Sequence, residues 1–519
     1  RYSARTWELS RRRSVSPHDG LGSNLVVQVK QHRVMRVLPL ENEEVNECWL
    51  SDKDRFSYEA LSSPERLQQP MVRNGGEWRE VGWQEAVELT VSRLKDFAVL
   101  ASPHATLEEL YLAGKLGPAD FRLRHSDFSA EGKRGGIPWL GMPVTELGKL
   151  DRVLVIGSFL RKDHPLLAHR LRQAAKRGAQ IHMLHAVDDD WLMPIASRTI
   201  VPPSELLSQV GTFAEKLKGG KSAAVLLGNY AQQHPQAAQI HAAAQALGVK
   251  VGFLGEAANS VGGYVAGLPS GGSLEALLKK KAFVLLNAEP ELDFADGRAA
   301  TEAMRQAQFV VQLSAFKTGL DYAHVLLPIA PFAETAGTFV STEGRVQSFH
   351  ATVKPLGEAR PGWKVLRVLG SLLAREGMAF DSVDQVRSAC LGGREVAGLL
   401  SNEIHLEAKS ASRPISGIQR IADVPIYFAD PLVRRSPPLQ KTRDAQAPRA
   451  AMNSRLAQKL GVSAGQPVLV NGAVRLVAAI DEGVADGCVR VPAAHPSTAQ
   501  AGPMFGTVTV EKLAVGQAA

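Results

Sequence analysis

The sequence predicts an α/β protein built on doubly wound parallel sheets. The clearest evidence is a strand–helix–strand unit at Asp151–Leu184. Val153–Ile156 is an apolar strand, and Pro165 stands where a helix begins. Gly178 supplies a left-handed helix end before the next strand, Ile181–Leu184. A unit of this length makes a right-handed parallel crossover, and the 46 glycines and 6% aromatic content suit a loop-rich α/β fold.

Apolar strands of the same kind recur further along the chain. They lie at Ala223–Leu227, Phe283–Leu286 and Phe309–Leu313. The first of them is followed by a helical stretch, Gln236–Leu247. Together these units predict a doubly wound sheet, in which a ligand usually binds beyond the carboxyl ends of the strands.

The overall composition is that of an ordinary globular protein of about three domains, with 519 residues, 45% hydrophobic and 22% charged. The net charge of +8 is mild, and the basic clusters Arg11–Arg13 and Arg434–Arg449 carry no interleaved aromatics. We therefore expect no nucleic-acid binding. No apolar run reaches the roughly 18–20 residues that a membrane-spanning helix needs. The sequence opens on Arg1 without a methionine, and we expect it to be a piece of a longer chain.

Cysteine is scarce, since the sequence contains only Cys48, Cys390 and Cys488 and no close pair. Such usage is typical of a reducing compartment. A full-cysteine iron–sulfur cluster requires four thiolates, so none is expected within residues 1–519.

Near the N-terminus, Asn24–Lys30 and Val34–Leu38 alternate apolar and polar residues around a Gln31-His32 turn, which predicts a β-hairpin. Further on, Trp78–Trp83 is predicted to open a helix that ends near Phe97. The other elements predicted in this region and in the middle of the chain are the strand Ala98–Leu100 and the amphipathic helices Thr106–Leu116 and Trp363–Ala374.

The C-terminal part of the sequence predicts an extended segment followed by a small β domain. Ser410–Ala450 is rich in Pro, Ser and Arg and is predicted to be a linker or an arm draped over a partner. The predicted elements beyond it are a helix Met452–Leu460 closed by Gly461 and the strands Pro467–Val470, Val474–Ile480 and Gly487–Pro492.

The stretch Asp321–Gly344 is predicted to lie at the ligand-binding end of a sheet. A short apolar strand, Val325–Leu327, stops at Pro328, which cannot donate to a sheet ladder. The chain then turns and presents the polar tip Thr342–Arg345 in a loop.

Two sets of motifs carry a resemblance to known proteins. The segments AHVLLP, ETAGTF and TEGRVQ, within residues 323–347, resemble a signature of the molybdopterin oxidoreductase superfamily, in which this stretch approaches the pterin cofactor. The segments RTWEL, SPHDGLGSN, RVLP and NECWLSDKDRFSYE, within residues 5–59, resemble one branch of that superfamily. That branch is the large iron–sulfur subunit of proton-pumping NADH:quinone oxidoreductase, respiratory complex I.

The resemblance implies three domains. Residues 1–62 would be a β module like the 4Fe-4S domain of the superfamily. Residues 63–440 would be a molybdopterin-oxidoreductase-like α/β body of two interleaved subdomains, the inner one at about 130–315. Residues 441–519 would be a shortened β-barrel like the dinucleotide-binding domain.

The cluster of the β module is expected to be lost. The positions of its four cysteines fall on Arg13, Ser16, Gly20 and Ser51, none of which is a thiol. Cys48 lies close but out of register. The resemblance therefore implies a module that is kept without its cluster.

The molybdenum ligand of active relatives would come from a loop near Arg124–Ser126, which has no thiol. Ser126 has an oxygen that can coordinate a metal, but an ordinary loop or capping serine is the favoured interpretation. His495 stands where active relatives keep cofactor contacts, and a surface histidine is an equally good interpretation. The segment Gly219–Ser222 is not interpreted as a phosphate-binding loop, because the first glycine of that motif is missing and the segment precedes a strand instead of following one. Gly262-Gly263 is interpreted as a site of tight backbone packing.

The function implied by the resemblance is that of a subunit of H+-translocating NADH dehydrogenase, which passes electrons from NADH toward quinone. Its 2Fe-2S and 4Fe-4S clusters would lie in a ferredoxin-like region upstream of Arg1, and residues 1–519 would hold no catalytic, cofactor-binding or metal-binding residue. This stretch would be a redox-inert scaffold. Expected partners are the flavin/NADH-binding and iron–sulfur subunits of the peripheral arm, on the cytoplasmic side of the bacterial inner membrane or the mitochondrial matrix side.

A second hypothesis is an active oxidoreductase of the formate-dehydrogenase type. It would hold a molybdenum or tungsten bis-pterin at the loop Glu334–Arg345. The absent thiols and the short barrel argue against it.

Overall fold

A computed structural model describes residues 4–408 and 415–513. The N-terminal module is an antiparallel sheet of three strands in the order β1-β2-β3, followed by a short helix. Gln31 and His32 both have positive φ, 48° and 62°, as the tight turn of a two-residue hairpin requires. This confirms the predicted hairpin. The elements of the module are β1 (Ser10–Val15), β2 (Asn24–Lys30), β3 (Arg33–Pro39) and α1 (Asp52–Phe56).

The body begins with a hairpin that the sequence analysis missed. Trp78 was expected at the start of a helix, but it lies in a strand, and the helix begins only at Trp83. The reason is the Gly75-Gly76 turn, where positive φ values of 59° and 92° reverse the chain. Phe97, predicted near the helix end, opens the next strand. The elements here are β4 (Met71–Asn74), β5 (Glu77–Glu80), α2 (Trp83–Arg93), β6 (Phe97–Ala101), α3 (Leu107–Leu116) and β7 (Ala119–Asp120).

The inner part of the body is a five-stranded, wholly parallel sheet in the order β10-β9-β8-β11-β12. The strand order reverses between β8 and β11, so the crevice between these two strands is a topological switch point. Its elements are β8 (Arg152–Ile156), α4 (Leu160–Asp163), α5 (Pro165–Lys176), β9 (Gln180–His185), β10 (Ser197–Ile200), α6 (Leu206–Val210), α7 (Ala214–Leu217), β11 (Ala223–Leu227), α8 (Asn229–Gln233), α9 (Ala237–Gln245) and β12 (Lys250–Phe253).

The chain then returns to a seven-stranded sheet in the order β5-β4-β15-β14-β13-β6-β7, parallel from β15 to β7. The predicted α/β units are therefore divided between two sheets rather than joined in one, because β13 pairs with β6 and not with β12. The elements are α10 (Gly262–Val265), α11 (Leu274–Leu277), β13 (Ala282–Leu286), α12 (Pro290–Asp293), α13 (Gly297–Gln306), β14 (Phe309–Ser314) and β15 (Val325–Pro328).

A hairpin and two helices complete the body. The hairpin contains the signature residues and packs against α3. Helix α14 also packs on α3 and buries Trp363, Leu366 and Leu369. The elements are β16 (Gly337–Val340), β17 (Val346–Phe349), α14 (Gly362–Leu372) and α15 (Val383–Leu391).

The C-terminal part is a nearly closed sheet in the order β23-β18-β22-β19-β21-β20-β24. The last two strands in the sequence lie at its two open edges. Its elements, with the helices between them, are β18 (Ile418–Ile421), α16 (Pro431–Arg434), α17 (Pro437–Gln440), β19 (Ala450–Met452), α18 (Ser454–Leu460), β20 (Pro467–Val470), β21 (Val474–Ile480), β22 (Cys488–Arg490), β23 (Thr507–Val508) and β24 (Val510–Lys512).

The stretch Ser410–Ala450 is not the arm that its composition suggested. Residues 410–414 lie outside the described residues, and residues 415–450 form a strand and two helices that pack on this chain. Pro431 and Pro437 occupy first-turn positions of helices, where a proline is favourable, so proline-rich sequence here marks helix starts. Strand β18 pairs with β22 and β23, so the C-terminal sheet takes one strand from before residue 441. The exact domain limits stay predictions.

Within the part of the chain that the structure describes, no helix combines the length and the apolar character needed to cross a membrane.

Candidate functional site

The signature loop after β15 is anchored by a buried ion pair. Glu334 is 4% exposed and accepts two hydrogen bonds of 2.7 Å from the guanidinium of Arg66, which is fully buried. The same carboxylate also accepts the backbone N–H of Leu356 at 3.2 Å. These contacts hold the ETAGTF segment against the start of the body and occupy both oxygens of Glu334.

Strand β16 is fixed to α3 by another buried carboxylate. Glu108 accepts hydrogen bonds from the backbone N–H of Thr338 at 2.9 Å and from its hydroxyl at 2.6 Å. Burial raises the pKa of Glu108 to about 7. Asn259 also binds strand β16. Its amide nitrogen donates to the carbonyls of Ala105 and Thr338 at 2.7 and 3.1 Å, and its amide oxygen accepts the N–H of Val340 at 2.8 Å.

The polar tip Thr342–Arg345 follows β16, as predicted, but it is inserted against the five-stranded sheet. The Thr342 hydroxyl donates to the Phe253 carbonyl at 2.9 Å and accepts the Gly255 N–H at 3.1 Å. Glu343 accepts the Val144 N–H and the Arg345 side chain, both at 2.7 Å. These polar groups therefore join the two sheets of the body.

An arginine occupies the neighbourhood in which the resemblance places a metal ligand. Arg124 is 6% exposed and forms ion pairs with Glu256 at 2.9 Å and Asp293 at 2.8 Å. It also donates to the Ala429 carbonyl at 3.1 Å. Ser126 is solvent-exposed. The guanidinium of Arg124 therefore links both sheets of the body to the C-terminal part.

The space beside the signature loop is too small for a pterin dinucleotide. One cavity, beside Thr342, has a volume of about 40 Å³, and another, beside Thr335, has about 60 Å³. Phe316, Phe332 and Phe339 are among the residues that line the cavity beside Thr335. Cofactor pockets measure roughly 300–1,000 Å³. No cysteine is among the residues that line either cavity, and the loop's polar groups are bound to their own chain, so these residues do not fit a molybdenum bis-pterin.

The residues at the four cluster positions do not fit an iron–sulfur cluster either. Arg13 is exposed on β1, and Ser16 accepts the His18 N–H at 3.2 Å. Gly20 lies so close to Gly255 that an added Cβ would be 2.8 Å from its carbonyl oxygen. Ser51 caps α1 by accepting the Asp54 N–H at 3.2 Å. Cys48 is exposed, and the described residues include no group of three or more His, Cys, Asp or Glu side chains that could hold a metal.

A buried Ser–His–Asp arrangement lies in this module instead. His18 Nδ1 is 2.8 Å from Asp430 Oδ2, and His18 Nε2 is 2.6 Å from Ser57 Oγ. Although burial alone would lower it, the charge and hydrogen bond of Asp430 raise the pKa of His18. Burial alone would raise the pKa of Asp430, but the charge and hydrogen bond of His18 hold that pKa well below its ordinary value.

This arrangement resembles a catalytic triad, but it has no access to substrate. Ser57 is fully buried, and His18 is 1% exposed. A nucleophile must reach its substrate, so the contact is a structural link between the N-terminal module and α16. The sequence contains no signal for it, because His18 and Asp430 are 412 positions apart.

The residues of the remaining motifs make contacts within the chain. An added Cβ on Gly263 would lie 2.6 Å from the Phe121 ring, which confirms the packing interpretation of Gly262-Gly263. Lys221, in the glycine-lysine segment, donates its backbone N–H to Asp151 at 2.7 Å. His495 is half-buried and lies against Phe428, with ring centroids 4.4 Å apart.

Two protein-family models match this chain. A model of the molybdopterin oxidoreductase family matches residues 66–372, and the chain belongs to that family. A second model, described as the 4Fe-4S domain of the NADH-ubiquinone oxidoreductase NDSU1/NuoG-like type, matches residues 9–59. Those residues contain one cysteine, Cys48.

Curated relatives agree with both matches. A subunit of the NADH-quinone oxidoreductase of Rickettsia felis is 30% identical over 410 residues, which are 74% of this chain and 59% of the relative. The mitochondrial NADH-ubiquinone oxidoreductase 78 kDa subunit of Neurospora crassa is 27% identical over 492 residues, 86% of this chain and 64% of the relative. The chain therefore spans about three fifths of the length of these relatives.

A solved structure supports the fold. Acetylene hydratase from Pelobacter acetylenicus superposes with a TM-score of 0.69 at 12% identity, covering 96% of this chain and 99% of that protein. At this identity the likeness concerns the fold alone.

Proposed function

We propose that the chain belongs to the large iron–sulfur subunit of H+-translocating NADH:quinone oxidoreductase, which passes electrons from NADH toward quinone. The observation that carries this proposal is the match of residues 9–59 to the NuoG-like domain, together with relatives named as subunits of that enzyme. The 2Fe-2S and 4Fe-4S clusters of the intact subunit lie outside residues 1–519, since this stretch has no set of four cysteines.

Within that subunit, residues 1–519 act as a redox-inert scaffold with no catalytic residue. The support is the use of Glu334, Thr338, Thr342 and Glu343 in hydrogen bonds within the chain. A catalytic loop keeps such groups free for its cofactor or substrate, whereas these groups hold two sheets together.

The partners are the flavin/NADH-binding and iron–sulfur subunits of the peripheral arm. The complex lies at the cytoplasmic side of the bacterial inner membrane or at the mitochondrial matrix side. The relatives are named as subunits of NADH-quinone oxidoreductase, one of them mitochondrial, and this supports membership of that complex over the formate-dehydrogenase alternative.

The test is to tag the chain in its own host, purify it under mild conditions and measure NADH:quinone oxidoreductase turnover. We expect the activity to co-purify with the tag. Ser126→Ala should turn over NADH at the wild-type rate, as should the control Ser129→Ala at another exposed loop serine. A tagged chain without this activity, or a selective loss of turnover in Ser126→Ala, would contradict the proposal.

A further inference from the structure

Strand β1 lies at an open edge of the sheet of the N-terminal module, and β2 is its only neighbour among the strands that the structure describes. Just beyond β1, the Ser16 N–H donates to the Ser23 carbonyl at 2.9 Å, in the register of the β1–β2 ladder. In an antiparallel ladder, hydrogen-bonded pairs alternate with non-bonded pairs. The backbone N–H and carbonyl groups of Arg11 and Arg13 therefore point away from β2, toward the open edge.

These outward-facing backbone groups have no partner in the chain as described. Within residues 4–408 and 415–513, neither Arg11 nor Arg13 forms a backbone hydrogen bond outside the ladder with β2. An unpaired strand edge is a template for another strand. An extended segment of a second polypeptide can add to such an edge through main-chain hydrogen bonds.

The charge along this edge is uncompensated. Arg11, Arg12 and Arg13 are all exposed, and none of them forms an ion pair or a side-chain hydrogen bond among the described residues. The acid nearest in sequence, Glu8, is paired with Lys30 at 3.0 Å. Side chains two positions apart on a strand project from the same face about 7 Å apart. This is less than the screening length of about 8 Å at physiological salt, so Arg11 and Arg13 repel each other.

Charged residues also protect strand edges from unwanted pairing, but the pattern on β1 differs from such protection elsewhere in this chain. Strand β5, at the outer edge of the seven-stranded sheet, mixes both signs in Glu77–Glu80, and its Arg79 pairs with Glu85. Strand β1 instead carries one sign on both of its faces, because successive side chains point to opposite sides. An edge of this kind repels basic segments and attracts acidic ones.

An exposed aromatic side chain precedes the strand. Trp7 is 77% exposed, and the guanidinium of Arg5 lies 5.3 Å from the centroid of its ring. Tryptophan is enriched among the residues that dominate the binding energy of protein interfaces. The open ladder, the unpaired positive charge and the exposed ring together form a surface suited to another polypeptide.

We propose that the open edge of β1 binds an extended acidic segment of another polypeptide, which adds to the sheet of the N-terminal module as a fourth strand. The backbone of this segment pairs with Arg11 and Arg13, and carboxylates at alternate positions bind their guanidinium groups. Arginine suits this role, since it forms two parallel hydrogen bonds with a carboxylate. The proposal goes beyond the scaffold role, because it assigns the docking surface and the chemistry of the partner.

The test uses the full-length protein, tagged in its own host and purified under mild conditions with its bound partners. The photoreactive amino acid p-benzoylphenylalanine is placed at position 13. The matched control places it at position 33, where an exposed arginine lies on β3 at the opposite edge of the same sheet. After irradiation, mass spectrometry identifies the cross-linked segment. We expect position 13, and not position 33, to cross-link to another polypeptide at a segment with acidic residues at alternate positions.

Charge reversal then tests the role of the arginines. The double variant Arg11→Glu and Arg13→Glu should bind the cross-linked polypeptide at least tenfold more weakly and release it at a lower salt concentration than the wild type does. Arg33→Glu should retain it like the wild type. Replacing the acids of the cross-linked segment by lysine should restore binding to the double variant. All three arginines are exposed, so these changes leave the core intact.

Strand addition is tested with a synthetic peptide of the cross-linked segment, used to compete with the native partner. Methylation of alternate backbone nitrogens on the bonding side keeps the charge and removes the donors to β1, so the methylated peptide should no longer compete. Equal competition by both peptides would overturn the strand pairing.

Other outcomes also overturn the proposal. These are a cross-link from position 13 to a segment without alternating acids, to a second copy of this chain or to residues of the same chain. The absence of any cross-link, or full retention of the partner by the double variant, would overturn it as well.

Discussion

His18 links parts of the chain that are far apart in sequence, and its removal has a predictable cost. His18→Gln leaves Asp430 buried without its charged partner. Breaking a buried pair in this way costs about 3–5 kcal/mol. Urea denaturation should show that loss in the free energy of unfolding. The control Lys279→Gln, which breaks the exposed ion pair between Lys279 and Glu275, should cost about 0–1 kcal/mol. Equal effects of both variants would contradict the structural role of His18.

The stability contributed by His18 and Asp430 should depend on pH. The pKa of His18 is raised from 6.5, so its contribution is complete below pH 6.5 and is lost as the pH rises through the raised value. The pKa of Asp430 is lowered from 3.8, so its contribution is present above pH 3.8 and is lost on acidification through the lowered value. The difference in unfolding free energy between wild type and His18→Gln should therefore peak between pH 3.8 and 6.5. A difference independent of pH would show that the pair is not ionic.

Glu334 forms a second buried ion pair, and we expect the free energy of unfolding to depend on the charge of its side chain rather than on its shape. Glu334→Gln preserves the volume but leaves the fully buried Arg66 without a carboxylate. We expect a loss of about 3–5 kcal/mol in unfolding free energy. An unchanged denaturation midpoint would mean that the ETAGTF segment does not depend on this anchor.

At the scale of elements, the short helix α10 packs against the ring of Phe121 through a glycine. Gly263→Ala places a methyl group 2.6 Å from that ring. Overpacking of this kind costs about 1–3 kcal/mol. Thermal denaturation provides the measurement. Gly211→Ala is the control, since its φ is −61° and an added Cβ meets nothing within 4 Å. It should be neutral or stabilising by about 0.4–1 kcal/mol, and a similar loss in both would remove the packing argument.

Elements with strong local patterns could be predicted from the sequence, whereas long-range contacts could not. The strands at Pro467–Val470 and Val474–Ile480 have the predicted bounds, because alternation and flanking turn residues define them locally. The hairpin at Gly75 was missed because its second strand, Glu77–Glu80, overlaps the stretch that was predicted to open a helix. The buried partners of His18, Asp430 and Ser57, depend on how distant segments meet, which periodicity does not encode.

At the scale of the whole molecule, the chain keeps the fold of a cofactor-binding family while its own side chains occupy the cleft. The α/β body, the N-terminal module and the nearly closed C-terminal sheet are all present. Arg124, Glu334 and Thr342 hold these parts to one another where a cofactor would be expected. The resemblance in sequence predicted this architecture, and the hydrogen bonds explain how the cleft is closed.

The most direct test of the scaffold account is metal analysis of the full-length protein purified from its own host, as wild type and as Cys48→Ser. Mass spectrometry of the metals should find no molybdenum or tungsten, and iron should be equal in the two proteins, because Cys48 is the only thiol of the N-terminal module. Stoichiometric molybdenum or tungsten, or a loss of about four iron atoms per chain in Cys48→Ser, would contradict the account.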